Sequence, residues 1–391
     1  MSLAEQLIRW RRELHQYPEL SLQEVDTTAR IRDWLQSGGI SLLPYELKTG
    51  AVAEVGSGDK VIALRADIDA LPIEEAASVP FRSLNAGVMH ACGHDIHTSV
   101  ILGAALLLKQ REAQLAGRVR ILFQPAEENG AGAAAVLADP KFAGIKPDLV
   151  FSLHNFPGLR FGHAALRSGP VNCASRGMRI LLSGKTAHAS TPEDGIAPTF
   201  AVVSLLAGLT ALGNNGPLDE TYTLVTVTHA RLGEAAFGIS PGYAEIWATL
   251  RTLTDARMAD LVARAEALVA SEAEAAGLKV TIGYEDVFHQ CSNAERAVAA
   301  LERAMDEEGV SRERGEGVLP MKGSEDFGLF GRVAPSAMFF LGAGENHARL
   351  HNPDYDFPDD LIGIGAIRRA PVRLELPGDR PRQRRAHLRA D

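Results

Sequence analysis

The chain has 391 residues, enough for two domains with separate cores, and its hydrophobic fraction of 46% and charged fraction of 23% are ordinary for a globular protein. A net charge of -9 without a basic stripe in the body excludes nucleic acid as the main partner, and no apolar run reaches the roughly 18 residues of a membrane span. Only three cysteines in so long a chain predict free thiols and a cytoplasmic location.

The first 170 residues alternate between helical and strand patterns. Apolar residues recur at helical spacing among charges over 3–15, which predicts an amphipathic helix instead of a signal peptide. The segment GSGDK (56–60) predicts a hairpin turn. Alternation of this kind predicts an α/β fold with a mostly parallel sheet covered by helices. The other predicted elements here are strands at 40–47, 51–56, 61–65, 118–124 and 148–153 and helices at 22–37, 95–110 and 131–139.

A change of pattern near Cys173 predicts a second domain inserted into the first. The patterns that follow have the order βαββαβ, which is the ferredoxin-like α+β arrangement. The last residues are rich in arginine and proline and predict a disordered tail. The predicted boundaries are 1–174 for the first part of the larger domain, 175–287 for the inserted domain, 288–370 for the second part of the larger domain and 371–391 for the tail.

Side chains of metal-binding type follow several predicted buried strands. In an open α/β sheet, ligands bind in the crevice beyond the carboxyl ends of the strands. Segments far apart in sequence therefore place thiol, imidazole and carboxylate groups at one edge, which points to a metal-dependent enzyme. These residues are Asp67 and Asp69 after 61–65, Cys92 and His94 in HACGHDIH (90–97), Glu127 and Glu128 after 118–125, His154 after 148–153, and His351 after 337–344.

The mixture of ligand types favours a catalytic site over a closed structural zinc site. Thiolate and imidazole suit Zn²⁺, whereas carboxylates suit harder ions such as Mn²⁺. Of the neighbours Glu127 and Glu128, one carboxylate can bind metal while the other faces the substrate. Asp95 is predicted to orient a ligating imidazole through its outer nitrogen. Two residues keep two interpretations: His188 belongs to the site or to a turn, and Glu325 supports the ligands or caps a turn.

Eight segments stand in the order and spacing of one enzyme family. On these segments the chain resembles the dinuclear metallo-amidohydrolases, which include hippurate hydrolase, indole-acetyl-amino-acid hydrolases and N-acyl-amino-acid deacylases, relatives of aminoacylase and carboxypeptidase. The resemblance implies a zinc-exopeptidase-like domain, with a mixed, mostly parallel sheet flanked by helices, and an inserted ferredoxin-like lid or dimerisation domain. The segments are LHQYPELSLQE (14–24), ALRADIDALP (63–72), MHACGHDIHTS (89–99), FQPAEENGAGA (123–133), SLHN (152–155), GKTAHAS (184–190), MKGSEDF (321–327) and HNPDYDF (351–357).

The resemblance also implies the parts of the site. It implies two divalent metal ions per subunit, Mn²⁺ or Zn²⁺ with Co²⁺ or Ni²⁺ as further options, and Glu127 as general base. His188 corresponds to a lid histidine that steadies the scissile carbonyl oxygen, often at a partner subunit's site, so a homodimer or higher homo-oligomer is implied. Asp67 and Asp69 fall where other branches place a metal histidine and its supporting aspartate. The implied metal ligands are Cys92, His94, Glu128, His154 and His351.

The implied substrate is an N-acyl amino acid with a benzoyl, acetyl or aryl-acetyl group. The chain departs from the resemblance in the loop AFGISPG (236–242), where an asparagine–valine–isoleucine–proline run is usual, and in the arginine-rich end, which replaces an apolar helix. Two other functions stay open. One is a metallo-dipeptidase or carboxypeptidase, and the other is a non-catalytic metal- or ligand-binding protein, against which the intact Glu127 speaks.

Overall fold

The computed structural model describes residues 1–313 and 317–367, so the predicted tail and the predicted domain end at 370 lie outside the described residues. The helices are α1 (Leu3–Gln16), α2 (Val25–Ser37), α3 (His94–Gln110), α4 (Gly132–Ala138), α5 (Phe142–Ile145), α6 (Thr199–Ala211), α7 (Asp255–Ala275), α8 (Glu295–Glu307) and α9 (Asp360–Ile367). Short 3-10 turns are formed by Glu112–Gln114, Pro192–Asp194 and Asp326–Arg332. The strands are β1 (Ser41–Leu42), β2 (Ala51–Gly56), β3 (Val61–Asp67), β4 (Arg118–Gln124), β5 (Leu149–Pro157), β6 (Ala164–Ala165), β7 (Gly169–Asn172), β8 (Ala174–Ser183), β9 (Ala187–His188), β10 (Thr223–Leu232), β11 (Ile239–Ser240), β12 (Tyr243–Thr252), β13 (Lys279–Phe288), β14 (Cys291–Asn293), β15 (Arg312–Glu313) and β16 (Ser336–Gly344).

The larger sheet has eight strands in the order β1-β2-β4-β3-β5-β16-β6-β15. Its central strands β4, β3, β5 and β16 run parallel to one another. The predicted mixed, mostly parallel α/β sheet is therefore confirmed. The hairpin predicted at 56–60 is wrong, because β4 lies between β2 and β3. The glycine-rich turn marks where the chain reverses direction, but it does not determine which strand becomes the neighbour.

Helices and turns cover both faces of the larger sheet. One buried apolar cluster joins the sheet to α1, α2, α3, α8 and α9. A second cluster on the sheet joins it to α4 and to the turn Asp326–Arg332. Because both faces are covered, β3 is buried along nearly its whole length, as is typical of parallel strands. The carboxyl ends of the parallel strands lead out of this core, so the polar residues that follow them meet at one edge.

The smaller sheet is antiparallel and has four strands in the order β10-β12-β8-β13. The helices α6 and α7 pack on one face of it through buried apolar side chains. The helix α7 is capped by Thr254, whose Oγ1 accepts a hydrogen bond from the Arg257 amide at 3.2 Å. The chain order β8-α6-β10-β12-α7-β13 confirms the predicted ferredoxin-like arrangement. The opposite face carries Trp247, whose side chain is 42% exposed.

The two sheets are joined through a short pair of strands. β7 leads into β8 and β13 leads into β14, and β7 and β14 pair antiparallel with each other. Both chain connections to the smaller sheet therefore pass through the strand pair β7/β14. Within the described ranges, every helix is too short or too polar to cross a membrane.

Candidate metal centre

Cys92 and His94 lie at the start of α3, where both side chains are buried. Gly93 between them has a φ of 89°, in the left-handed region that favours glycine. A Cβ at Gly93 would lie 2.2 Å from Nδ2 of Asn155, and that nitrogen donates to the Cys92 carbonyl oxygen at 2.6 Å. Glycine is therefore required here, because the chain turns into the helix directly against Asn155.

Glu127 and Glu128 follow β4 through a turn that is held from outside. Ala126 has a φ of 54°, a left-handed conformation that is uncommon for a residue with a Cβ. Its amide donates to Oε1 of Glu24 at 2.8 Å, and Glu24 is completely buried. Glu24 thus fixes the turn that aims both glutamates. The sequence assigns it no role, because only its distant partner distinguishes it from a surface glutamate.

His154 and His351 reach the same place from different strands. His154 lies inside β5, which continues past it, and its Nδ1 donates to the Asn155 carbonyl oxygen at 2.7 Å. This bond leaves Nε2 facing Sγ of Cys92 at 3.5 Å. His351 follows β16 with a φ of 63°, and its Nε2 lies 3.6 Å from Oε2 of Glu128. The side chain of His351 is 52% exposed, so it forms the outer wall of the cluster.

The structure brings together all five residues that the resemblance implies as ligands, together with Glu127. Three groups have potential ligand atoms that all lie within 4.8 Å of one another. Because the groups share members, the arrangement suits two neighbouring cations better than one. The groups are Cys92, His94 and His154; Cys92, Glu128 and His351; and His94, Glu127 and Glu128.

Two buried atoms mark where a cation fits. Nε2 of His94 and Oε1 of Glu128 have no hydrogen-bond partner among the described residues and lie 3.7 Å apart. Leaving a buried polar atom unpaired costs about 1–3 kcal/mol, and coordination of a cation removes that cost. A thiol, imidazoles and carboxylates together fit a divalent ion of the Zn²⁺ or Mn²⁺ type.

Burial and a surplus of carboxylates together shift the pKa values of the cluster. Burial and neighbouring carboxylates raise the pKa of Glu127 well above its usual range and that of Glu128 to about 8. Burial lowers the pKa of His94, but the carboxylates, led by Asp67, outweigh it and raise the pKa to about 10. Burial raises the pKa of the Cys92 thiol, and the nearby glutamates add to the shift. Bound cations would reverse these pKa shifts, because they favour thiolate, carboxylate and neutral imidazole.

Asp69, and not Asp95, orients the imidazole of His94. Nδ1 of His94 donates to Oδ1 of Asp69, with the two atoms 3.1 Å apart. The other oxygen of Asp69 accepts from the Glu128 amide at 3.0 Å, so one carboxylate fixes two ligand candidates. The prediction for Asp95 is wrong, since successive helical residues point about 100° apart and Asp95 faces α1.

Replacing Asp69 with asparagine is expected to lower metal affinity roughly 10- to 100-fold, a common effect of losing the partner of a ligating imidazole. Competition with a chelator measures this affinity directly. Asp95→Asn is the matched control, because its side chain contacts α1 and not His94. Equal losses of affinity in the two variants would contradict the assignment.

Asp67 supports the first turn of α3 through His97. Its Oδ1 lies 2.6 Å from Nδ1 of His97, and Nε2 of His97 accepts from the Asn155 amide at 3.0 Å. Its Oδ2 lies 2.6 Å from NH1 of Arg65 and 3.8 Å from Nε2 of His94. Both nitrogens of His97 are therefore engaged, so His97 supports the site without a free atom for a cation.

Arg65 brings a fixed positive charge to this acidic region. Its guanidinium nitrogens lie 2.6 Å from Asp67, 3.1 Å from Glu325 and 2.8 Å from Asp326. The Asp326 amide faces Oε1 of Glu127 at 3.4 Å. Glu325 also caps the turn Asp326–Arg332 by accepting from the amide two residues on. The interpretation of Glu325 as a cap is therefore confirmed, and its support of the ligands stays a prediction.

A buried ion network ties α1 to α3. Oδ2 of Asp95 lies 2.8 Å from Nε of Arg11 and 2.8 Å from Nδ1 of His15. Nε2 of His15 lies 3.2 Å from Oε1 of Glu75. Two carboxylates can accept from both nitrogens only when the ring is protonated. Burial and Arg11 lower the pKa of His15, but the two carboxylates outweigh them and raise it above the ordinary value of 6.5.

Protonated His15 is expected to stabilise the fold below pH 6.5, and this contribution is lost as pH rises through the raised pKa. Urea unfolding of the metal-saturated wild type and His15→Gln at each pH measures it. The difference in unfolding free energy should be constant below pH 6.5 and then shrink by at most about 1.4 kcal/mol per pH unit. A difference that stays flat to pH 9 or grows with pH would refute the protonated pair.

His188 lies outside the cluster described above. It is exposed in β9, where it pairs with Ile239 of β11, and its Nδ1 lies 2.7 Å from Oγ of Ser190. The loop 236–242, where the sequence departs from the resemblance, contains β11 and is therefore the direct neighbour of His188. The role of His188 at a substrate carbonyl stays a prediction.

Together the α/β fold and the convergent thiol, imidazoles and carboxylates define a candidate metal-dependent enzyme. The profile of Peptidase family M20/M25/M40 matches residues 63–369. N-acetyl-L-cysteine deacetylase of Bacillus subtilis (strain 168) is 37% identical over 92% of this chain and 86% of its own length. IAA-amino acid hydrolase ILR1-like 4 of Arabidopsis thaliana is 32% identical over 91% of this chain and 82% of its own length.

A solved structure gives the same result. The YXEP protein of Bacillus subtilis, described as a dinuclear metal binding peptidase of the M20 family, has a TM-score of 0.79 and 32% identity, with 95% of this chain and 97% of that chain covered. The chain belongs to Peptidase family M20/M25/M40, and it is a metal-dependent amidohydrolase of that family.

Proposed function

We propose that this amidohydrolase cleaves the amide bond of N-acyl amino acids with two divalent ions and Glu127 as general base. The observation that carries the proposal is the placement of the paired glutamates. Oε2 of Glu128 lies 3.6 Å from Nε2 of His351, whereas Oε1 of Glu127 accepts from the Asp326 amide at 3.4 Å. When Cys92, His94, Glu128, His154 and His351 are taken as the ligands, Glu127 is the carboxylate that remains for proton transfer.

The proposed ligands form two sets that meet at the cluster centre. Cys92, Glu128 and His351 would hold one ion, and His94 with His154 would hold the other, with Cys92 or Glu128 shared between them. The unpaired atoms of His94 and Glu128 support this division. We propose Mn²⁺ or Zn²⁺ as the natural ions, with Co²⁺ or Ni²⁺ as possible replacements.

Glu127 would move the proton in the reaction. When bound, the two ions would lower the pKa of water from about 15.7 toward about 7 and polarise the amide carbonyl. Glu127 is buried beside this position, so its carboxylate would take the proton of the attacking water and deliver it to the leaving nitrogen. The Asp326 amide holds Oε1 of Glu127, which leaves Oε2 to face the cluster at 3.9 Å from Nε2 of His94.

The finer arrangement is part of the same proposal. His188 would stabilise the oxyanion of the reaction. Because His188 lies outside the cluster of its own chain, it would do so at the site of a partner subunit in a homodimer. In the proposed division into 1–174, 175–287 and 288–370, the two sheets and the strand pair β7/β14 support the boundaries near 174 and 287. The names of the two relatives support N-acetyl and aryl-acetyl amino acids as substrate types.

The proposal is tested by a substrate screen on apo protein reloaded with Mn²⁺, Zn²⁺, Co²⁺ or Ni²⁺. We expect hydrolysis of N-acetyl, N-benzoyl or indole-acetyl amino acids, and much slower hydrolysis of dipeptides that carry the same C-terminal residue. Faster dipeptide hydrolysis would assign a dipeptidase or carboxypeptidase instead. Metal binding without hydrolysis of any amide would assign a binding protein.

A further inference from the structure

We propose that Glu24, at the start of α2, is a positioning residue for Glu127 and Glu128, and that it holds their turn at a cost to the stability of the fold. This inference rests on the proposed function, in which Glu127 is the general base and Glu128 is a metal ligand. Glu24 itself would touch neither substrate nor metal, and it would act through the backbone of Ala126.

The helix α2 does not need the side chain of Glu24. Glu24 occupies the N-cap position of α2, but its carboxylate caps no amide of that helix. The carboxylate of Glu19 fills this role, because its oxygens accept from the amides of Asp26 at 3.2 Å and Thr27 at 2.7 Å. The side chain of Glu24 reaches instead to the amide of Ala126, which lies 102 residues later in the chain.

The turn at Ala126 is unfavourable by itself. A φ of 54° costs free energy in a residue that has a Cβ. The Ala126 carbonyl oxygen accepts from the Gly132 amide at 2.9 Å, and the Ala126 amide donates to Oε1 of Glu24 at 2.8 Å. Pro125 before it has no amide hydrogen, so the bond from Ala126 to Glu24 fixes the entry to the turn. Because Glu127 follows directly, a rotation at Ala126 changes the direction of the proposed base.

Glu24 occupies a place where a carboxylate is costly. Its side chain is completely buried, and its Oε2 has no hydrogen-bond partner within 1–313 and 317–367. Burial raises the pKa of Glu24, backbone hydrogen bonds oppose this shift, and the charge of Asp69 adds to it. A buried carboxylate with an unpaired oxygen and an acidic neighbour destabilises a fold. A residue that breaks the rules of stability in this way is expected where it serves a function.

The segment that precedes α2 also holds the other end of the acidic turn. Oγ of Ser21 donates to Oδ2 of Asp69 at 2.7 Å, and the same oxygen of Asp69 accepts from the Glu128 amide at 3.0 Å. Without the carboxylate of Glu24, this second attachment would remain. We therefore expect a displaced turn in a folded protein when Glu24 is replaced.

The test compares Glu24→Met and Glu24→Gln with the wild type, all loaded with metal. Methionine is similar in length but has no oxygen for the Ala126 amide, so kcat should fall roughly 10- to 100-fold, as small misplacements of reacting groups do. Glutamine keeps an acceptor oxygen, so Glu24→Gln should retain most of the rate. The free energy of unfolding of Glu24→Gln should not fall, because the burial of a charge is relieved.

Glu75→Met is the matched control for the loss of a buried glutamate. Glu75 also accepts from a backbone amide, that of Ser83 at 2.6 Å, but its side-chain partner is His15 and not a residue of the cluster. Glu75→Met should lose stability and keep the kcat of the wild type. Adding Ala126→Gly to Glu24→Met should recover part of the rate, because glycine adopts this φ without a steric cost. The same double variant takes the place of Glu24→Met if the single variant does not fold.

The visible absorption of the Co²⁺-loaded proteins gives a readout that needs no turnover. Glu24→Met should show a changed Co²⁺ spectrum and a roughly 10-fold weaker affinity, because the support of a ligand is lost. Glu24→Gln and Glu75→Met should match the wild type. An unchanged kcat or an unchanged spectrum in Glu24→Met, or a Glu24→Gln enzyme as slow as Glu24→Met, would overturn the inference. A wild type that hydrolyses no N-acyl amino acid would refute the proposed function, whereas the Co²⁺ spectra would still decide whether Glu24 positions the turn.

Discussion

Replacing Glu127 with glutamine is expected to lower kcat roughly 100- to 10,000-fold, the usual contribution of a general base. The amide has the same shape but cannot take the proton of the attacking water. Metal content should stay at the wild-type value, because the proposed ligands Cys92, His94, Glu128, His154 and His351 are unchanged. Steady-state kinetics and metal analysis of the same preparation measure both quantities.

Glu128→Gln provides the contrast for this experiment. It removes a carboxylate oxygen from the proposed ligand group, so metal content should fall together with activity. Burial and Glu325 raise the pKa of Glu127, so its carboxylate is unfavourable there and the neutral glutamine relieves repulsion. A loss of fold stability should therefore not be the cause of the lower kcat of Glu127→Gln. A Glu127→Gln enzyme with near wild-type kcat, or one that loses its metal as Glu128→Gln does, would refute the separation of roles.

Replacing Arg65 with methionine is expected to lower the free energy of unfolding by about 3–5 kcal/mol, as when one partner of a buried ion pair is removed. Arg65 is completely buried and contacts the carboxylates of Asp67, Glu325 and Asp326. Without its charge, these groups stay buried beside Glu127 with no fixed cation among them. Denaturant unfolding at pH 7 measures the loss.

Arg179→Met is the control for the size of this effect. Its partly exposed ion pair with Glu245 should contribute little to stability, because solvent screens it. Equal losses of stability in the two variants would show that the charge of Arg65 does not offset the repulsion among the carboxylates around it. Metal should be saturating in both measurements, because binding to the native state also stabilises the fold.

The metal-type residues were predictable because strand ends are visible in the sequence. The buried runs at 61–65 and 118–124 correspond to β3 and β4, and the polar residues that follow them meet at one edge. The order βαββαβ was equally readable, since each of its elements has a local period. The pairing of β2 with β4 could not be read from the sequence, because the composition of a turn does not determine which strand becomes the neighbour.

The supporting residues could not be predicted, because their roles depend on contacts between distant segments. Asp95 stands beside His94 in sequence and Asp69 lies 25 residues before it, yet the direction of α3 turns Asp95 toward α1 and leaves Asp69 as the partner of His94. Glu24 acts on Ala126, about a hundred residues later. Arg251 donates to Ser324 from another sheet. Such roles follow from the packing of the whole chain and leave no local pattern.

The cluster is assembled from segments that the ribosome makes at very different times. Cys92, His94, Glu128 and His154 all precede the smaller sheet in sequence, whereas His351 follows it. At 5–20 residues per second, the last imidazole emerges on the order of 10–40 s after His154. A nascent chain that lacks His351 therefore offers an incomplete set of ligand candidates, and the full set is present only after the smaller sheet and His351 have been synthesised.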